Sequence, residues 1–363
     1  MGLMRRLRSG PPSRPGFLAA GVTVVAVVLA ARAYAPVAIQ RYVNGVLDRT
    51  PGYQGSIGDV DLSLLRGAYT IEAVRIDKTG GRVPVPFFRA RAVDLSLRWW
   101  ALFRGAVVGE VWLDTPQVNF VVGPSPADRQ GGTEADWRDT VKALLPVRID
   151  RLTVKSGSIH VRSFRSDPPF DVYLRDVDGT ADNLANSRDV AETLVARIQA
   201  TARPMEAGRL DLRASLDPFR DPPDFDLDLQ LNGLALRHLN RFFRAYGGID
   251  VERGTLRVDA ELASHGGAFH GYAKPFFESV DVLKPQELRK QAPWSSLWEA
   301  LVGGAAEVFE DQPDDRVATR IPISGRVESP RIGLWRTLAN VVRNAYFEAF
   351  LPGLEHSVSR EQS

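Results

Sequence analysis

The stretch DFDLDLQL, residues 224–231, alternates Phe225, Leu227, Leu229 and Leu231 with Asp224, Asp226, Asp228 and Gln230. Successive side chains of a β-strand point to opposite faces, so this period of two describes a strand with one apolar and one solvated side. The same alternation sets Leu210, Leu212 and Leu216 in the strand before it and Leu256, Val258, Ala260 and Leu262 in one after it. Towards the N-terminus, Val60, Leu62 and Leu64 alternate with Asp59, Asp61 and Ser63; Arg66 and Gly67 then turn the chain into Tyr69, Ile71, Val74 and Ile76, which reads as a hairpin. Val93, Leu95 and Leu97 follow, then Val107, Gly109, Val111 and Leu113, then Val118, Phe120 and Val122. Further strands are expected around Leu152 and Val154, Ile159 and Val161, Val172 and Leu174, residues 194–202, and Ile321, Ile323 and Val327; the 194–202 run also fits a helix. Short strands between Gly, Pro and Asp turns make this a mainly β protein built on a long antiparallel sheet.

The N-terminus follows different rules. Arg5, Arg6, Arg8 and Arg14 precede an apolar run at 17–39, with no acidic residue in the first fifteen positions. As one helix that run rises by about 1.5 Å per residue to about 34 Å, enough for a hydrocarbon core of about 30 Å. Arg32 interrupts it towards the exit side, where a long side chain can snorkel. Basic residues stay on the cytoplasmic side, so the expectation is a single-pass anchor with the body exported. The competing reading is a cleaved signal peptide with an A-x-A-like site at Ala33, Tyr34 and Ala35; Pro36 directly after it fits a peptidase badly.

The sequence divides into a basic tail (1–16), the anchor (17–39), a first part of the sheet (40–130) and the remainder with inserted helices (131–332). A C-terminal amphipathic helix (333–352) and a tail (353–363) complete it. Val37, Tyr42, Val43 and Val46 recur at helical spacing after the anchor, ahead of Thr50, Pro51 and Gly52. Other helices are expected over 133–145, over 234–246 with a left-handed stop at Gly247 and Gly248, and over 298–309 behind a capping box of Ser296 and Glu299. The stretch 124–133 reads as a break between two portions of sheet, and 286–293 as a loop.

Composition excludes several chemistries. There is no cysteine, hence no disulfide, thiol nucleophile or thiolate metal site. Lys+Arg 46 against Asp+Glu 44 leaves the body near neutral once the four leading arginines are set aside, which gives no electrostatic footprint for nucleic acid. His265 and His270 stand five apart across Gly266 and Gly267, at neither helical nor same-face strand spacing, so no metal site is expected. Asp224, Asp226 and Asp228 share a strand face, as do Asp59 and Asp61, but each alternates with an apolar residue and so marks a solvated face. Ser156, Ser158 and Ser163 have no base nearby in sequence, and no nucleophile elbow, P-loop or dinucleotide fingerprint occurs. Trp99, Trp100 and Trp112 read most simply as sheet packing, with a ligand platform or membrane-interface belt as alternatives. The chain reads as a non-enzyme without a cofactor.

Several stretches taken together resemble the AsmA-like superfamily of bacterial envelope proteins, and within it an uncharacterised-domain subgroup. They are YQGSIGDVDLSLLRGAYTIEAVRIDK at 53–78, PFFRARAVDLSLRWWALFRGAVVGEVWLDTPQVNFV at 86–121 and LPVRIDRLTVKSGSIHV at 145–161. LALRHLNRFFRAYGGIDVERGTLRVDAEL with HGYAKP, within 234–275, and RNAYFEAFLP at 343–352 complete the set. The resemblance implies an inner-membrane anchor, a periplasmic body, and a long sheet curled into an open groove that conducts phospholipid in support of outer-membrane biogenesis. It carries over no catalytic residue, and the chain is shorter than the bridging members.

Physics gives the groove its own rationale, because an acyl chain laid on an apolar trough gains about 0.8 kcal/mol per buried CH₂. The groove candidates are Val60, Leu62, Leu64, Val93, Leu95, Leu97, Leu210, Leu212, Phe225, Leu227, Leu229, Leu256 and Val258. The expected partners are membrane phospholipid, the inner membrane itself and other envelope proteins. The alternative function is a non-catalytic assembly scaffold that binds proteins rather than lipid. A closed sandwich core satisfies the same periodicity.

Overall fold

A computed structural model of the chain describes residues 14–63, 67–97, 108–132, 140, 144, 148–184, 196–216, 224–248, 250–283, 316–318 and 321–326; at 14–21, 24, 25, 27–33, 97, 108, 148, 247, 282, 283, 316–318, 321 and 326 it describes the backbone alone. The chain is mainly β, with a single large sheet and few helices. Its strands are β1 (Tyr53–Ser56), β2 (Val60–Ser63), β3 (Ala68–Lys78), β4 (Phe88–Leu97), β5 (Val108–Asp114), β6 (Gln117–Val121) and β7 (Arg148–Ser163), then β8 (Phe170–Asp182), β9 (Ala196–Pro204), β10 (Arg209–Leu216), β11 (Phe225–Ala235), β12 (Asp250–His265), β13 (Ala268–Leu283), β14 (Arg316–Ala318) and β15 (Ile321–Arg326). All fifteen belong to one sheet.

The sheet is mixed rather than purely antiparallel. β7 runs parallel to β5 and to β6, which lie end to end along it. Parallel neighbours require a crossover of about a dozen residues or more, and residues 122–147 supply it. The stretch 124–133, expected to divide two portions of sheet, is therefore part of the connection that joins them. Within it, Val121 and Gln130 exchange backbone hydrogen bonds of 2.9 and 2.8 Å.

A crease crosses the strands on this side of the sheet. Ala73 in β3, Thr115 between β5 and β6, Ser156 in β7 and Asp176 in β8 have φ of 51°, 47°, 50° and 50°. The left-handed region costs a residue with a Cβ about 1–2 kcal/mol. Glu72 and Ala73 are both exposed, as are Lys155 and Ser156, so two successive residues face outwards at these positions. The apolar phase slips with them: Tyr69 and Ile71 give way to Val74 and Ile76, and Leu152 and Val154 to Ile159 and Val161. Ile71 and Ile76 nevertheless lie in one core cluster, so the bulge holds the apolar side inward through the slip. The two short strands expected at Leu152 and at Ile159 are thus one long strand, β7.

Helix α1 spans Arg14–Leu47 without interruption at Pro36. Its C-terminal part packs on β1 and β2 through Ile39, Val43 and Leu47, a stripe at i, i+4 and i+8. Of the expected stripe, Val43 is buried and Val46 half-buried, whereas Val37 and Tyr42 are exposed. Gln40 Nε2 donates to Gly58 O at 2.7 Å, and Ile57 N to Asn44 Oδ1 at 3.0 Å. Among the described residues no helix is long and apolar enough to cross a membrane; most of the side chains of 17–39 lie outside that set.

The expected 234–246 helix is shorter. Leu234 and Ala235 end β11, Leu236–Leu239 form a 3-10 turn, and α2 covers Asn240–Gly247 before Gly248 at φ 60°. Of the run at 194–202, the described part from Ala196 on is strand, within β9. The helices expected at 298–309 and 333–352, nearly all of that at 133–145, and the loop at 286–293 lie outside the described residues. β13 was not anticipated, because Pro275 interrupts its pattern. Its register to β15 begins at Ala273 and that to β14 ends at Phe276, so the missing N–H falls where one edge partner gives way to the other.

Ser156→Gly removes the left-handed penalty while leaving the Ser156 N–H free to donate to Asp178 Oδ1 at 3.1 Å. The expected gain is about 0.5–1 kcal/mol, and Ser156→Val should cost about 1–2 kcal/mol. Urea unfolding followed by tryptophan fluorescence measures both; equal midpoints for the two variants would remove the crease as a strained element.

Candidate functional site

Register carries the apolar side chains from strand to strand in rows. One row runs Val60, Ile71, Val93, Leu113, Val154, Gly179, Ala200, Leu212, Leu229, Ala260 and Ala273. The next runs Leu62, Tyr69, Leu95, Val111, Leu152, Ala181, Ile198, Ala214, Leu227, Leu262, Gly271 and Ile323. Neither contains a charged residue. The row between them on the opposite face is Asp61, Thr70, Asp94, Trp112, Thr153, Thr180, Gln199, Arg213, Asp228, Glu261 and Tyr272.

Every groove candidate with a described side chain lies on the apolar face. Val60, Leu95, Phe225 and Leu256 are buried; Leu62, Val93, Leu210, Leu212, Leu227, Leu229 and Val258 are half-buried. Leu64 lies outside the described residues, and Leu97 is described by its backbone alone. Three clusters account for the buried members. Val43 and Leu47 of α1 cover Val60, Ile71, Leu95 and Val111. Leu236 and Leu239 cover Leu234, Leu256 and Met205, and Ala196, Leu216, Phe225 and Leu262 form the third. Leu210, Leu212 and Leu229 lie between the second and third clusters and belong to neither.

α2 closes one end of this face. Phe242 meets Phe170 of β8 at 5.3 Å between ring centroids, and Tyr246 meets it at 5.6 Å. At the other end of α2 the Asn240 side chain donates to Val251 O at 2.8 Å and accepts from Val251 N at 2.9 Å. The helix is thereby tied to both β8 and β12.

The polar candidates do not converge. Asp226 and Asp228 are exposed, and Asp224 Oδ1 accepts from Gly266 N at 2.8 Å while its other oxygen lies 3.0 Å from His265. That pairing ties down the β12–β13 turn, and His270 stands exposed on β13. Asp59 and Asp61 are exposed. Ser163 Oγ accepts from Ser166 N at 3.1 Å, a turn contact. Among the described residues no three His, Asp or Glu side chains are placed to hold a metal ion. Trp112 is 49% exposed on the polar face, which removes it from the core; Trp99 and Trp100 lie outside the described residues.

Two polar groupings escaped sequence reasoning because their members come from different strands and loops and meet only in the folded register. Asp128 is nearly buried and accepts from Ser125 at 2.5 Å, Arg82 at 2.9 Å and Arg165 at 3.2 Å. Ser125, Arg82 and Arg165 hold its carboxyl below the ordinary range, against the opposing effect of burial. On the outer face, His160 Nδ1 lies 2.9 Å from Asp171 Oδ1 and 2.9 Å from Arg162 Nη2. A proton on Nδ1 donates to Asp171, whereas a bare Nδ1 accepts from Arg162, so the two bonds exclude each other. Beside it Tyr173 donates to Glu206, which also takes Arg175 at 3.0 Å. Burial raises the Asp171 pKa, but His160 and Arg162 together outweigh it and the net displacement is downward.

No protein-family model matches the chain, and no curated protein matches it.

The Asp171 displacement has a definite sign. A carboxyl held low contributes stability above its unfolded value near about pH 4, and that contribution is lost as pH falls through the lower folded value. Asp171→Asn should therefore reduce stability at pH 7 and flatten the acid limb below about pH 4, as read from thermal midpoints across pH. An unchanged acid limb would show that His160 and Arg162 do not hold the carboxylate.

Proposed function

We propose that the chain is an inner-membrane protein whose body lies in the periplasm and whose apolar sheet face takes up and passes the acyl chains of phospholipid. On this reading it serves outer-membrane biogenesis in the manner of the AsmA-like proteins it resembles. The observation that carries the proposal is the pair of uncharged rows running from β2 to β13 and β15, with Leu210, Leu212 and Leu229 half-buried between two clusters. A sheet closed on its own core would bury such residues as fully as Phe225 and Leu256. Small residues also interrupt the rows from β8 onwards, at Gly179, Ala181, Ala200, Ala214, Ala260 and Gly271. Gly and Ala leave depth above the backbone where Leu would fill it. The function is passive partition, driven by about 0.8 kcal/mol for each CH₂ moved from water onto the face. The anchor is the 17–39 part of α1, and the basic residues ahead of it keep the N-terminus in the cytoplasm.

The test is lipid extraction after purification in mild detergent. Leu212→Asp and Leu229→Asp should each lower co-purified phospholipid at least tenfold with a retained unfolding midpoint, whereas Arg213→Asp on the opposite face should leave it unchanged. Lipid retained by Leu229→Asp would overturn the groove. A dominant protein adduct in cells, with no labelling by photoactivatable lipid, would establish the scaffold instead.

A further inference from the structure

The contacts between α1 and the sheet fix how deep the proposed anchor sits. Leu47 packs over Gly55, Asn44 accepts from Ile57 N, and Gln40 donates to Gly58 O. Seven helix residues, about 10.5 Å, thus pass three strand residues, about 10 Å, so the helix and β1 run side by side in opposite directions. β2 continues along the same helix. From Gly58 to Leu62 is four strand residues, about 13 Å, or about nine residues of helix back from Gln40. Leu62, its partner Tyr69 and the next in the row, Leu95, are therefore level with residues 31–32 of α1.

Charge decides where hydrocarbon ends. Asp61 is exposed at that level, and Asp94, bonded by Thr70 at 2.9 Å, lies in the same outer row. An acidic side chain held in hydrocarbon costs about 2.5–3.5 kcal/mol, so a bilayer reaching Ile39 would submerge both. Tyr34, 77% exposed, and Val37, 45% exposed, follow on the outer side of the helix, and Tyr is favoured in the headgroup layer. We infer that the hydrocarbon boundary crosses α1 at about residue 32, not at 39, which leaves 17–32, about 24 Å of helix, to cross a locally thinned hydrocarbon core, and that the β2–β3 end of the sheet rests on the lipid headgroups. This rests on the anchor reading above. The apolar row then begins at the bilayer surface, and an acyl chain reaches Leu62 and Tyr69 without crossing water.

The natural absence of cysteine makes the boundary measurable. Single cysteines replace Val28, Tyr34, Val37 and Tyr42 in the full chain, in sealed vesicles with the body outside, and meet a membrane-impermeant maleimide. Labelling at 34, 37 and 42 with protection at 28 is expected. Labelling at 42 alone would place the boundary near 39 and overturn the inference while leaving the anchor intact. Labelling at all four would remove the anchor itself. A fluorophore at Leu62→Cys should be quenched by phospholipid carrying a headgroup-level quencher, and one at Asp77→Cys should not; equal quenching would overturn the placement of the β2–β3 end.

Discussion

The parallel ladder between β7 and the pair β5 and β6 holds the molecule together as one sheet. Without it the chain would be two antiparallel meanders, β1–β6 and β7–β15, each with a bare edge at the join. The ladder is locked by geometry as well as by hydrogen bonds. Thr115 N donates to Lys155 O at 2.9 Å and Ser158 N to Pro116 O at 2.8 Å, so the left-handed residues Thr115 and Ser156 meet across the two strands. A slip of one residue would set the bulges against regular strand and turn Leu152 and Val154 to the wrong face. Gly157 follows because a Cβ there would come within 3.1 Å of Val154 and 3.3 Å of Pro116.

From that lock the two faces separate along the whole sheet. Each further strand adds one residue to every row, and each outward bulge spares the rows a polar insertion. Coverage of the apolar face is local among the described residues: α1 over β1 and β2, and Leu236–Gly247 between β8 and β12. Among the described residues the buried apolar side chains gather in three clusters along the sheet rather than in one central core, with half-buried leucines where cover is thin.

Much of this was legible because a period of two is a strong signal wherever side chains are large. The 60–71 hairpin, β10, β11 and most of β12 follow from it directly. The failures have particular causes. Pro275 hid β13, since the position beside a gap in the edge strands is not visible in one strand's pattern. The parallel pairing was hidden because period two is the same in either direction. The helix stripe of α1 moved from Val37 and Tyr42 to Ile39 and Leu47, because the positions flanking a stripe are apolar too. Gly179, Ala200, Ala214 and Gly271 were missed as row members because a hydrophobic pattern weighs size, whereas a groove needs some positions to be small. The Asp128 grouping is long-range and the Asp171 grouping depends on the β7–β8 register, so nothing in local sequence announces either.

If the apolar face takes up lipid as proposed, row length separates two kinds of site. Neighbouring strands stand about 4.8 Å apart, so the row from Val60 to Ala273 measures about 50 Å along the sheet, more than three times the about 15 Å depth of one leaflet's hydrocarbon. A pocket for one acyl chain would need a fraction of that and would be closed at both ends by large side chains. Here the large residues Ile71, Val93, Leu113 and Val154 lie towards the α1 edge, and from β8 onwards the small residues Gly179, Ala200, Ala260 and Ala273 flank Leu212 and Leu229. Such an order leaves depth on both sides of the two leucines, with no charged side chain to cross in either row. On the proposed lipid reading, this spacing suits lateral passage across the strands rather than storage between them.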